Sequence, residues 1–229
     1  FTNKAAREMR ERIEKVVGSD ARNLWMGTFH SVFARILRAE AHHLGYPNSF
    51  TIYDTDDSKT LVKNIVKEMG LDDAAYKPST VFNRISAAKN SLISWQDYQT
   101  NAELMGDDAA NLRPEIAKIY KAYALRCYKA GAMDFDDLLF NTDKLFKEHL
   151  EVLNKYQHRI RYVLVDEFQD TNLCQYFIIR KLAAVRQNVC VVGDDAQSIY
   201  AFRGADITNI LNFERDYPDL RIIKLEQNY

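Results

Sequence analysis

The sequence is poor in the features that most readily classify a chain. Its three cysteines, Cys127, Cys174 and Cys190, are odd in number, widely spaced and never in a Cys-x-x-Cys pair. That excludes a disulfide framework and predicts small, buried apolar residues in a reduced, cytoplasmic setting. Eight glycines and four prolines in 229 residues exclude a collagen-like chain. No apolar run approaches the roughly 20 residues that span a bilayer, and no signal-peptide pattern opens the chain. Neither sign of charge dominates: 31 Lys and Arg face 32 Asp and Glu, a net −1, so any nucleic-acid contact must come from a local patch. There is no internal repeat, no His-Glu-x-x-His and no Gly-x-x-x-x-Gly-Lys-Ser/Thr. The chain opens on Phe1 and stops just after an apolar run, so the expectation is a piece of a longer protein.

What is present suits a folded α/β chain. Apolar residues make up 47% and charged residues 28%, enough for one good core or two modest ones. Four short apolar runs end in polar residues: Leu24–Gly27, Tyr162–Val165, Val189–Val192 and Leu220–Leu225. Continuous runs of this kind predict parallel strands covered on both faces. Helical patterns between the last three complete βαβ units, and in open α/β sheets ligands sit beyond the carboxyl ends of the strands. Residues 30–159 differ. Helices are predicted after Asp54-Thr55 up to Gly70, from Ser79 to about Asn90, from Pro114 to about Lys129, and from Asp134 to about Lys147. An all-helical block between parts of a sheet predicts an inserted subdomain.

The unusual polar residues gather at strand ends. Asp166-Glu167 follows one apolar run: an acid there can hold Mg²⁺, and the next can orient or deprotonate water. A solvated strand end with helix-capping acids is the plainer alternative. Gly193-Asp194-Asp195-Ala196-Gln197-Ser198-Ile199-Tyr200 follows the next run, with Tyr200 and Phe202 spaced to stack on bases and Arg203 to add a charged contact. Burial of those aromatics in a core is the competing reading.

Five segments in order resemble the motifs of the UvrD/PcrA/Rep family of superfamily 1 DNA helicases. They are Phe1–Ala6, Gly27–Ser31, Val165–Asn172, Val192–Tyr200 and Leu225–Tyr229; Asp134–Leu139 is also similar to a family segment. The resemblance implies an α/β fold, with an incomplete RecA-like P-loop NTPase parallel sheet interrupted by the helical subdomain. The motor domain would comprise 1–29 and 160–229, and the insertion 30–159. The cofactors implied are ATP and Mg²⁺, and the partners are single-stranded DNA, single/double-strand junctions and the rest of the parent helicase. Position by position, Asp166 is similar to the Mg²⁺-linked acid, Glu167 to the catalytic base, Gln197 to the γ-phosphate sensor and Tyr229 to the aromatic beneath adenine. Phe1, Thr2, Asn3, Thr28, His30, Tyr200 and Phe202 resemble residues that grip single-stranded DNA, and Arg203 a charged strut of the same motif. Two departures stand out: Phe202 occupies a position where Trp is common, and the phosphate loop is absent. The second predicts that the 229 residues alone neither hydrolyse ATP nor unwind DNA.

Other clusters carry weaker readings. Asp134, Asp136 and Asp137 suit a helix start better than a metal site. His42-His43 has no third ligand at zinc spacing. Arg7, Arg10, Arg12 and Lys15 alternate with Glu8, Glu11 and Glu14 as on a solvated helix face. Arg35 and Arg38 sit one turn apart and could meet phosphate, and Lys89 could touch duplex DNA. A metal-dependent nuclease using Asp166, Glu167, Asp170 and Asp194, and a non-enzymatic docking module, are the alternative functions.

Overall fold

A computed structural model describes residues 3–194 and 208–224. In chain order the elements are α1 (Asn3–Val17), α2 (Phe29–Glu40), β1 (Thr51–Tyr53), α3 (Thr55–Glu68), α4 (Pro78–Asn90), α5 (Trp95–Thr100), α6 (Ala102–Ala110) and α7 (Ile116–Lys129). They continue with β2 (Ala132–Asp134), α8 (Phe135–Glu148), α9 (Leu150–Arg159), β3 (Val163–Val165), α10 (Leu173–Ala183), β4 (Val189–Val191) and α11 (Thr208–Asp216).

Local chemistry sets most helix ends. Asp54 caps α3, accepting from the amides of Asp56 and Asp57 at 2.8 Å each, while Asp57 Oδ2 accepts from the Asp54 amide at 3.2 Å. The same reciprocal box starts α8 with Asp134 and Asp137, and α10 with Asn172 and Gln175. Gly70 and Gly131, at φ +64° and +60°, take up the left-handed turn after α3 and α7.

Three hydrophobic cores hold these elements. The first joins Phe33, Ile36 and Leu37 of α2 to Leu145 and Phe146 of α8, Tyr156 of α9 and Ile178 of α10. The second is built from α3, α4, α5 and α7, with Ile65, Ile85, Tyr98, Ile119 and Tyr123 at its centre. The third, smaller, packs Val165, Phe168, Tyr176, Ile179 and Phe213 beneath β3 and β4. The first core draws on both sides of the 29/30 and 159/160 divisions, and the second lies wholly within 30–159.

The strand expectations need correction in three places. β3 and β4 pair in parallel, Val163 with Val189 and Val165 with Val191, as their apolar runs predict. Residues 24–27 and 220–224 form no ladder, because a strand requires a neighbour and neither run finds one among the described residues. Both-face coverage also fails: Val165 is buried, but Leu164 is 76% exposed and its register partner Cys190 is exposed. Cys127 and Cys174 are buried as expected. Finally, the block 30–159 is not all helical. β1 and β2 pair in parallel, Thr51 with Ala132 and Tyr53 with Asp134, so the segment holding the second core leaves and returns through one ladder. Three residues are too short a run for alternation to announce a strand.

Candidate functional site

The parallel pairing of β3 and β4 places their carboxyl ends side by side. The Val192 amide donates to the Val165 carbonyl at 2.8 Å, and the Phe168 amide returns a bond to the Val192 carbonyl at 2.9 Å. Between those bonds the chain makes a sharp exit. Glu167 adopts φ 52°, ψ 45°, a left-handed conformation that costs a non-glycine residue about 1 kcal/mol or more. Its amide donates to Asp166 Oδ1 at 3.0 Å. A short turn over Phe168–Asp170 follows, closed by the Thr171 hydroxyl donating to the Phe168 carbonyl at 2.7 Å. Both Asp166 and Glu167 are exposed at this edge.

Gln169 holds the edge together. It is 1% exposed; its Nε2 donates to Glu167 Oε2 at 2.7 Å, and its Oε1 accepts from the Asp194 amide at 3.1 Å. The Glu167 carboxylate is thereby tied to the chain leaving β4. Gly193 permits the approach, since a Cβ there would stand 3.0 Å from Gln169 Oε1. Beside it, Asp170 Oδ1 is buried with no hydrogen-bond partner, and burial followed by the neighbouring Glu167 charge pushes the Asp170 carboxyl up. The donors gathered here are carboxylate oxygens, the hard ligands Mg²⁺ prefers.

A second region lies at the start of α2. Thr28 caps this helix, its Oγ1 accepting from the Ser31 amide at 3.3 Å. His30 stands edge-on to Phe135 at 5.8 Å, and burial lowers its pKa, so it presents a neutral ring. Phe29, between them, packs against both the first and third cores and so joins this segment to β3. Next to it, Arg7 and Arg10 of α1 line a cleft of about 430 Å³ with Met26, Gly27, Ser31 and Arg35. Arg10 donates to the Met26 carbonyl at 2.7 Å, and Arg35 lies over the Trp25 ring at 4.2 Å. Among the described residues, three guanidiniums and no carboxylate line this cleft. Arg7, Arg10, Arg12 and Lys15 are exposed, as the solvated-face reading of α1 expects, and Arg7 and Arg10 also line the cleft.

The model of the UvrD/REP helicase N-terminal domain matches residues 1–218 of this sequence. The chain belongs to the UvrD/REP helicase family. Across all 229 residues it is 45% identical to the ATP-dependent DNA helicase PcrA of Bacillus subtilis (strain 168) and equally to that of Staphylococcus aureus (strain Mu50). It is 44% identical to the PcrA of Staphylococcus epidermidis (strain ATCC 35984). The chain spans about 30% of the length of these relatives.

Within this UvrD/REP family domain, several expected residues fall outside what is described: Phe1, Thr2, Gln197, Tyr200, Phe202, Arg203 and Tyr229, together with the side chain of Asn3. One expected DNA contact is corrected. Lys89 is 3% exposed, with Nζ 2.7 Å from Asp134 Oδ2 and 2.8 Å from Asp137 Oδ1, so it cannot reach DNA. Arg38, which is exposed, lies over the Phe50 ring at 3.8 Å and donates through Nη1 to the carbonyls of Asn48 and Phe50, so part of its guanidinium is engaged within the fold. Asp134, Asp136 and Asp137 serve the α8 start as expected, and also a polar seam: Asn90 Nδ2 donates to Asp136 Oδ1 at 2.9 Å, and Asn172 Nδ2 to Asn90 Oδ1 at 2.5 Å. That seam joins α4 to the segment following Asp166. Gln169 and Asn90 carry no sequence signal of these roles, because their partners come from other elements.

Proposed function

We propose that this chain is the first motor region of an ATP-dependent DNA helicase that couples ATP hydrolysis to movement on single-stranded DNA and to duplex unwinding, in DNA repair or replication. The motor would be RecA-like, formed by 1–29 and 160–229, with 30–159 as the insertion and the separately cored helices α3–α7 as its body. A cytoplasmic setting goes with this reading. Among the described residues, no helix is long and apolar enough to cross a membrane.

The observation that carries the proposal is the pair Asp166–Glu167 at the β3 exit, with the Glu167 carboxylate held by Gln169 against the β4 exit. Asp166 is the residue to hold Mg²⁺, which when bound neutralises phosphate charge. Glu167 accepts the proton of the attacking water, and the bond from Gln169 fixes the direction in which its carboxylate faces. Gln197 as phosphate sensor and Tyr229 as the adenine platform complete the ATP side by resemblance. Thr28 and His30, beside the basic cleft, would form the DNA side, and by resemblance Phe1, Thr2, Asn3, Tyr200, Phe202 and Arg203 belong to it. Single-stranded DNA and single/double-strand junctions are the proposed partners.

The test compares two polypeptides. The intact protein is expected to hydrolyse ATP with stimulation by single-stranded DNA. The 229 residues alone are expected to show background turnover at saturating DNA, because the sequence supplies no phosphate-binding loop. Turnover by the 229 residues that disappears in Glu167→Gln would overturn the second expectation. Mg²⁺-dependent DNA cleavage without nucleotide would replace the helicase reading with a nuclease.

The cleft gives a separate prediction. In the intact protein, Arg7→Ala and Arg35→Ala should each weaken single-stranded DNA binding at low salt. Each should also make the slope of log K against log salt shallower by about 0.7, the value for one lost phosphate contact on a single strand. An unchanged slope would remove the cleft from the DNA path.

A further inference from the structure

A polar corner beside the first core has no part in the helicase reading. The end of α2 passes through Glu40 into a single helical turn that carries His42 and His43. The junction of α8 and α9 brings His149 and Glu151 to the same place, with the His43 and His149 rings 4.9 Å apart. His149 Nδ1 is 3.2 Å from Glu151 Oε1, and His43 Nδ1 is 3.9 Å from that same oxygen. One ligand atom from each of the three lies within 4.8 Å of the others. A tetrahedral ion with the usual metal–ligand bonds separates its ligands by about 3.3 Å, so side-chain movement of about 1 Å closes this trio onto one. His42-His43 has no third ligand at zinc spacing in the sequence. In the fold Glu40 comes within the same 4.8 Å of the pair, but as a buried residue already held by Lys155 and Tyr156, whereas His149 and Glu151 meet His43 from another element.

The surroundings of His43 point the same way. Its other ring nitrogen, Nε2, faces Glu40 Oε2 at 3.7 Å. Glu40 is 4% exposed and fixed in place by Lys155 Nζ at 2.6 Å and the Tyr156 hydroxyl at 3.1 Å. A carboxylate behind the far nitrogen is the partner that sets the tautomer and direction of a metal-bound imidazole. Two imidazoles and one carboxylate suit zinc and similar late divalent ions rather than Mg²⁺, which prefers oxygen alone. His43 and His149 each keep somewhat over a quarter of their side chains exposed, which leaves a path for the ion.

We propose that His43, His149 and Glu151 form a binding site for a divalent transition-metal ion of the zinc type, with Glu40 as the outer partner of His43. Three protein ligands leave the fourth position to water. The ion ties the end of α2 to the α8–α9 junction, two segments distant in sequence that the first core already brings together.

The test titrates the untagged 229-residue chain with Zn²⁺ by calorimetry, and with Co²⁺ followed by its visible absorption. Cys190 is changed to Ser beforehand to remove the exposed thiol. One Zn²⁺ per chain is expected, with tetrahedral Co²⁺ bands that Zn²⁺ abolishes. His43→Gln and His149→Gln should each weaken Zn²⁺ binding by about tenfold or more, while His42→Gln and His158→Gln change it by less than about threefold. Glu151→Gln, on a mostly exposed side chain where folding is not at stake, should weaken binding similarly and reduce the rise in melting temperature that Zn²⁺ gives the parent chain. Melting each variant without metal separates lost binding from lost folding. Absence of saturable binding below millimolar Zn²⁺ overturns the proposal. So does binding that survives in the His43→Gln/His149→Gln double variant, which would be adventitious surface binding only.

Discussion

Replacing Glu167 with Gln in the intact protein is expected to lower DNA-stimulated ATP turnover by about 10²–10⁴-fold, the range that a positioned general base contributes. The substitution keeps the shape of the side chain and an oxygen that can still accept from Gln169 Nε2, now 2.7 Å from Glu167 Oε2. What it removes is the negative charge and the capacity to take a proton. Single-stranded DNA binding should change by less than about threefold, because the Thr28–His30 segment and the basic cleft depend on other residues. Asp166→Ala should depress turnover comparably but by a different route, visible as a raised Mg²⁺ requirement. Steady-state turnover together with anisotropy-monitored DNA binding makes both measurements. Turnover of Glu167→Gln within tenfold of the parent would remove Glu167 from the role of base.

The second large effect concerns stability. Lys89→Met should destabilise the chain by about 3–5 kcal/mol, because it strands two buried carboxylates without their cation. Lys89 Nζ bridges Asp134 and Asp137, and the Tyr123 hydroxyl donates to Asp134 Oδ2 at 2.7 Å. Burial opposes ionisation of Asp134, but Lys89 holds its carboxyl low. Burial and the Asp134 charge push Asp137 up to about 7. For a chain of this length the melting temperature should fall by on the order of 10 °C. The pH dependence follows from the sign. Without Lys89 both buried carboxyls bind protons more tightly folded than unfolded, so the deficit is full only above their raised folded-state pKa values and shrinks as pH falls from there toward the ordinary carboxylate range. Asp134→Asn/Asp137→Asn added to Lys89→Met should recover much of the loss. Urea melts at two pH values decide it; a deficit under 1 kcal/mol at pH 8 would show that the network contributes little.

Much of the helical plan was legible because its signals are local. Asp54 and Asp134 with their partners three residues on, and Gly70 and Gly131 after α3 and α7, announce helix ends from neighbouring residues alone. The acid pair after an apolar run was legible for a similar reason, since a strand end and the residues just beyond it are contiguous. Strand identity was less so: of four apolar runs, two form a ladder in the described residues, because a strand depends on a neighbour that its own residues do not encode.

The sequence by itself determined the family, the helix boundaries set by capping and glycine, and the placing of Asp166 and Glu167 at the end of β3. Tertiary structure alone decided what holds those groups. It put Gln169 between Glu167 and the Asp194 amide, buried Lys89 between two carboxylates, and carried His149 and Glu151 to His43. Each depends on elements distant in the chain meeting at one point. Hydrophobic packing selects those meetings through the summed fit of whole faces, which no short pattern of residues contains.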